Sequence, residues 1–212
     1  MIKNKYAETL FYLNDFIVTC TGLFNQVITE LKNSPSEYFI QQKSNATKNL
    51  LLHMINLFSI FLTEKSQWEM LVNDGKYLEM LTDLLEYSVW DKHFHLLWEW
   101  CWFSVHEVCT SFPNIEIEQF GGVLSCIAED ISIPSDKNLH SFRVLLSIII
   151  NNNSADPKVH VKRIKYITSH INILYETLVD AVTNENEKDE NKLIYLHIMN
   201  KILNSETIDK FL

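Results

Sequence analysis

An all-α protein of long helices is the fold class this sequence predicts, and three observations predict it. Apolar residues recur at i, i+3, i+4 and i+7 along almost the whole chain, the spacing that gives a helix one apolar face. Only four Gly and four Pro occur in 212 residues, too few for the tight turns that sheets need. No run of alternating apolar and polar residues reads as a strand.

Taken in order, Leu10, Leu13, Ile17, Cys20, Phe24, Val27, Ile28 and Leu31 form the first stripe. A helix is therefore expected from about Tyr6 to Lys32, stopped by Asn33-Ser34-Pro35. A short helix around Glu37 to Gln42 follows, then one capped by Ser44 or Asn45 and running to about Glu64. Its apolar run, Leu50 to Leu62, is interrupted by His53 and Asn56. It is shorter than the roughly 20 residues of a membrane span, which makes it a core helix. A short helix from Gln67 to Val72 ends before Asp74-Gly75, and another spans Lys76 to Tyr87.

Asp91 is the expected cap of an aromatic-rich helix, Lys92 to Thr110, broken by Phe112-Pro113-Asn114. Gly121-Gly122 leads into a helix from Val123 to about Ile131. Pro134-Ser135-Asp136 opens the next, to about Asn151. Asp156 caps a further helix with Pro157 at its first position, where the missing N–H costs nothing. That helix is expected to run unbroken to about Val182. The polar stretch Asn184 to Glu190 is a loop, and a last helix covers Asn191 to Leu203.

The bulk composition narrows the function classes. The chain is 47% hydrophobic and 12% aromatic, enough for a continuous core. Its formal net charge of -9 repels phosphate backbones, so nucleic acid is not an expected partner. The N-terminus carries charges through its apolar stretch and does not read as a signal peptide. Cys20, Cys101, Cys109 and Cys126 form no CxxC pair and read as buried thiols of a reducing compartment. A cytoplasmic location, or a nuclear one, and no membrane insertion are the expectation.

The chain also resembles itself. Gly75, Leu78, Leu81 and Leu85 lie over Gly121, Leu124, Ile127 and Ile131. With one residue fewer between helices, Asp91, Phe94, Leu97 and Cys101 lie over Asp136, Leu139, Phe142 and Leu146. Leu51 to Asn56, LLHMIN, is echoed by Tyr195 to Asn200, YLHIMN, three periods later.

A period in the forties, built as short helix, Gly, helix, loop and long helix, resembles the armadillo repeat. The residues carrying this are the short helices ending at Asn73-Asp74-Gly75 and Phe120-Gly121-Gly122, the LxxLxxLL-like helix and the capped helix after it. Related HEAT repeats differ mainly in lacking the short first helix. The resemblance is good from about Asn45 to Asn151 and looser at both ends. It implies a right-handed α-α superhelix, an armadillo/HEAT-like solenoid of about four repeats, with residues 1–212 as one domain. It also implies that the last helix of each repeat lines a concave groove, often with an Asn. Asn56 and Asn200 fit that position, whereas Glu99 and Val144 depart from it. Ser205 to Leu212 then reads as a separate short helix opening another repeat. On that reading the chain is the N-terminal part of a longer protein, or a partner covers its end.

Candidate chemistry is sparse. The helix after Asp91 holds His93, His95, Cys101, His106 and Cys109, but Trp102 interrupts the stripe of His95, Glu99 and His106, and Cys101 points elsewhere. A zinc ion needs a compact tetrahedral set, so no metal is expected. No motif for nucleophilic catalysis, phosphate binding or a dinucleotide occurs, and neither enzyme activity nor a cofactor is expected.

The expected function is a non-enzymatic interaction scaffold or adaptor gripping a protein or peptide. Its candidate groove residues are Asn56, His95, Glu99, Trp102, His106 and Asn200, with Glu99 favouring a basic ligand. Trp102 offers a hot-spot surface if it faces the groove and packing between repeats if it does not. The alternative is a structural subunit of a larger complex, for which an exposed apolar patch and a homodimer would speak. Lys158, Lys162 and Lys165, with Arg163 nearby, form a basic face that is either solvated or docks an acidic peptide or headgroup.

Overall fold

A computed structural model describes residues 76–88, 95–112, 115–133, 138–151 and 156–209, with scattered positions between Thr19 and His53. Every regular element among the described residues is helical. The helices expected before Lys76, the cap at Asp91 and the groove candidate Asn56 lie outside these residues.

Helix α1 spans Lys76–Ser88 and α2 spans His95–Ser111. A 3-10 turn at Ile117–Phe120 leads into α3, Gly121–Ser132, and α4 spans Leu139–Ile150. Then come α5, Pro157–His170, α6, Leu174–Thr183, and α7, Asp189–Asp209. Among the described residues no helix is long and apolar enough to cross a membrane.

Each helix buries the stripe its spacing dictates. On α1 these are Leu78, Leu81, Leu84 and Leu85, and on α3 Val123, Leu124, Ile127 and Ile131. Burying each such side chain contributes about 1.5–3 kcal/mol. Three pairs pack within themselves: α1 with α2, α3 with α4, and α6 with α7. Across pairs, α3 touches both α1 and α6, while α4 touches both α2 and α7. Two rows result, α1-α3-α6 and α2-α4-α7, with the core between them.

Gly122 permits one of these contacts. A Cβ there would lie 2.8 Å from Thr82 Cγ2, and Thr82 cannot swing away because its Oγ1 donates to the Leu78 carbonyl at 2.8 Å.

A buried polar seam ties the ends of α2 and α4 to α5. Arg163 is only 4% exposed, and it donates to the carbonyls of Ile115, at 2.7 Å, and Ile148, at 3.5 Å. Asn151 Nδ2 donates to the carbonyls of Phe112, at 2.9 Å, and Cys109. These bonds satisfy carbonyls that helix ends leave open.

Arg163 therefore leaves the expected basic face. The remaining lysines are divided: Lys162 pairs with Glu118 and Lys165 with Asp209, each at 2.8 Å, and Lys158 is exposed. The Lys162 hydrogen bond holds the Glu118 carboxyl below its ordinary range.

Two boundaries differ from the sequence expectation. The single helix from Pro157 to Val182 is broken at Ile171-Asn172-Ile173. The apolar positions Ile164, Ile167, Ile171, Leu174 and Leu178 keep helical spacing across the break, so periodicity conceals it. The break lets α5 lie on α3, α7 and the 3-10 turn while α6 lies on α3 and α7. The separate short helix expected from Ser205 is instead the end of α7, which continues to Asp209. Ile198, Ile202 and Ser205 stay buried at helical spacing, and no Gly or Pro interrupts them.

Candidate partner-binding cleft

Between α2 and α4 lies a cleft of about 660 Å³. Glu99, Trp102, Phe103 and His106 line it from α2, spaced at i, i+3, i+4 and i+7. His140, Arg143, Val144, Ser147 and Ile150 answer from α4 with the same kind of spacing. One side of each helix faces the cleft because residues three and four apart share a side.

The floor is aromatic. Trp102 is 2% exposed and stacks edge-on with Trp98, ring centroids 6.0 Å apart, and Trp98 meets His140 edge-on at 5.7 Å. Trp102 thus belongs to the packed interior, and what it offers the cleft is the floor rather than an exposed ring. Its indole N–H is buried and has no hydrogen-bond acceptor. A buried donor without a partner costs about 1–3 kcal/mol, and few native groups stay so.

The rim is open and apolar. Phe103 is 47% exposed and Ile150 55% exposed, with Trp100 edge-on to Phe103 at 5.6 Å. Neither Phe103 nor Ile150 stood among the residues expected from the sequence. The available signal was that each is a large apolar residue off the core stripe of its own helix.

A Ser–His contact spans the cleft, with His106 Nδ1 2.7 Å from Ser147 Oγ. Ser147 Oγ donates its proton to the Arg143 carbonyl at 3.0 Å. The neighbouring thiols stay protonated. Cys101, Cys109 and Cys126 are free and buried, and burial pushes Cys109 and Cys126 up to about 12. Among the described residues no three His, Cys, Asp or Glu side chains are grouped to hold a metal.

Of the residues singled out from the sequence, Glu99, Trp102 and His106 meet in this cleft. His95 opens α2. Asn200 is exposed on α7, where its Oδ1 accepts from Asn204 Nδ2 at 3.2 Å, and it does not line the cleft. Glu99 shares the cleft with Arg143, so local charge does not single out a basic ligand. Compared with protein-family models, curated proteins and solved structures, the chain matches none.

Proposed function

We propose that this chain is a non-enzymatic interaction module that holds a segment of a partner protein in the cleft between α2 and α4. The observation that carries this is the combination of an open apolar rim, Phe103 and Ile150, with a buried indole N–H of Trp102 that lacks an acceptor. An apolar side chain of the partner would cover the rim, and a backbone carbonyl would accept from the indole. Apolar area with one directed polar contact is the usual composition of a binding hot spot.

The stacking supports a repeat architecture of the armadillo/HEAT type. Helices α1, α3 and α6 follow one another in one row and α2, α4 and α7 in the other, the order that successive helix pairs give. The cleft would then be one stretch of a longer groove along the second row.

Selection of random peptides against the whole chain tests the reading. Peptides with an aromatic or aliphatic anchor are expected to be enriched, and Phe103→Ser or Ile150→Ser to weaken their binding about tenfold or more. Peptides indifferent to both substitutions would end it.

One observation favours a second reading, a structural subunit of a larger assembly. Leu193, Leu196 and Leu203 are exposed on α7, at spacings that put them on one side of the helix. Sedimentation of the chain would show a stable dimer if that side pairs with a second copy.

A further inference from the structure

A second cavity, of about 500 Å³, opens where the end of α3 and the start of α4 meet α6 and α7. Ile131, Phe142 and Tyr195 form buried walls, with Phe142 and Tyr195 edge-on at 4.8 Å. Glu176 and Asp180, one turn apart on α6, are exposed at its mouth, and Glu187 stands beside them. Among the described residues no Lys, Arg or His lines it.

Two of the hydroxyls lining this cavity have given up their protons to the protein. Ser132 Oγ donates to the Glu129 carbonyl at 2.6 Å, and Thr177 Oγ1 to the Ile173 carbonyl at 2.9 Å. Ser132 and Thr177 therefore present acceptor oxygen to the cavity. Burial, together with the charge of Glu187, pushes the Tyr195 phenol up to about 12, so it stays protonated.

Asn138 adds a more specific signal. It is 6% exposed and lines the cavity, and its Nδ2 donates to the Ile133 carbonyl at 2.9 Å. A carbonyl only accepts, so this bond fixes which end of the amide is NH2 and leaves Oδ1 on the opposite side. Oδ1 is buried and no donor reaches it.

We propose that this cavity binds a primary alkylammonium group, the side chain of a partner's lysine or the end of a free polyamine. The ammonium would donate to Asn138 Oδ1, the alkyl stem would lie along Ile131 and Phe142, and Glu176 and Asp180 would supply the field that draws a cation in. A quaternary ammonium has no N–H for Oδ1. A guanidinium is best held by both oxygens of one carboxylate. The Glu187 carboxylate is already engaged by Asn191 Nδ2 at 2.6 Å and by the Lys188 N–H at 3.1 Å. The single neutral oxygen of Asn138 suits a point charge.

The test is a chemical-shift titration of the whole chain with spermidine, with acetyl-lysine methylamide and with its Nε-trimethyl form. The first two are expected to move amides around Asn138, Glu176 to Glu187 and Tyr195, and the trimethyl form to bind about tenfold or more weaker. The exposed double substitution Glu176→Gln with Asp180→Asn is expected to weaken both ligands about tenfold. A control pair on α1, Glu79→Gln with Glu86→Gln, should leave binding unchanged. Tighter binding of spermidine points to a polyamine, and tighter binding of the lysine compound to a partner's side chain. Equal binding of the trimethyl form, equal weakening by the control pair, or no shifts around the cavity would each overturn the proposal.

Discussion

Two sites lie on different sides of the same helix, α4, and their chemistry is opposite. Toward α2, α4 presents Val144, Ser147 and Ile150 to an apolar cleft whose buried polar atom is a donor, the Trp102 indole. Toward α6 and α7 it presents Phe142, with Asn138 just before its start, to an acidic pocket whose buried polar atom is the Asn138 carbonyl oxygen. The difference comes from the neighbours. Helix α2 brings tryptophans and Phe103, whereas α6 brings Glu176 and Asp180. A helix in the middle of a stack is thus neutral scaffolding whose sides acquire their character from the helices laid against them.

The largest expected effect breaks the comparison at its shared core. Trp102→Ala removes a fully packed side chain and should cost about 3–5 kcal/mol of stability, seen as a large drop in the urea midpoint. Trp102→Phe separates the two roles of that residue. It removes the unpaired N–H, so stability should stay within about 1 kcal/mol while ligand binding in the cleft weakens. An unchanged ligand affinity would show that the indole donor serves no partner.

Next in size is the polar seam. Arg163→Met strips the donor from the Ile115 and Ile148 carbonyls and should cost about 3 kcal/mol by urea unfolding. Hydrogen exchange should quicken more at the adjoining ends of α2 and α4 than in α6, sharpening the distinction between the two sides.

Phe103→Ser should act on one side only. Stability is expected to change by less than about 0.5 kcal/mol, because the ring is half in water, while the selected peptide is lost. The acidic pocket has its own signature, in pH. The Tyr195 phenol ionises only near 12 in the folded chain but near 10 in the unfolded one. The unfolded chain therefore holds fewer protons between those values, and stability should fall as pH rises through that window. Tyr195→Phe should lessen this fall, leaving the share that buried Tyr77, Cys109 and Cys126 contribute. The smallest effect belongs to the exposed pair Lys162 and Glu118, where Glu118→Gln should leave the melting temperature unchanged and affect neither site.

Much of the helical plan was legible in the sequence. The stop at Phe112, the entry through Gly121-Gly122 and the cap at Asp156 with Pro157 all rest on local chemistry, and Asp156 does accept from the Lys158 N–H at 2.9 Å. The break at Asn172 was not legible, because the stripe from Ile164 to Leu178 keeps its spacing through it. Nor was the continuation of α7 past Leu203. Of the cleft, Glu99, Trp102 and His106 follow from one helix's spacing, but Ile150 and Arg143 come from another helix, and spacing within one helix says nothing of the one that faces it.

The sequence by itself determined that the described chain is helical and which stripe of each helix is buried, because helical periodicity and the apolar drive out of water are local to a segment. The tertiary structure decided what became of the residues off those stripes. It turned Arg163 from a surface cation into a buried clamp, and it put Trp102 beneath a cleft rather than on its surface. It also left Asn138 Oδ1 buried with no donor to meet it. A polar or aromatic side chain finds its partner across helices that are far apart in the chain, and that pairing is fixed only when the helices pack.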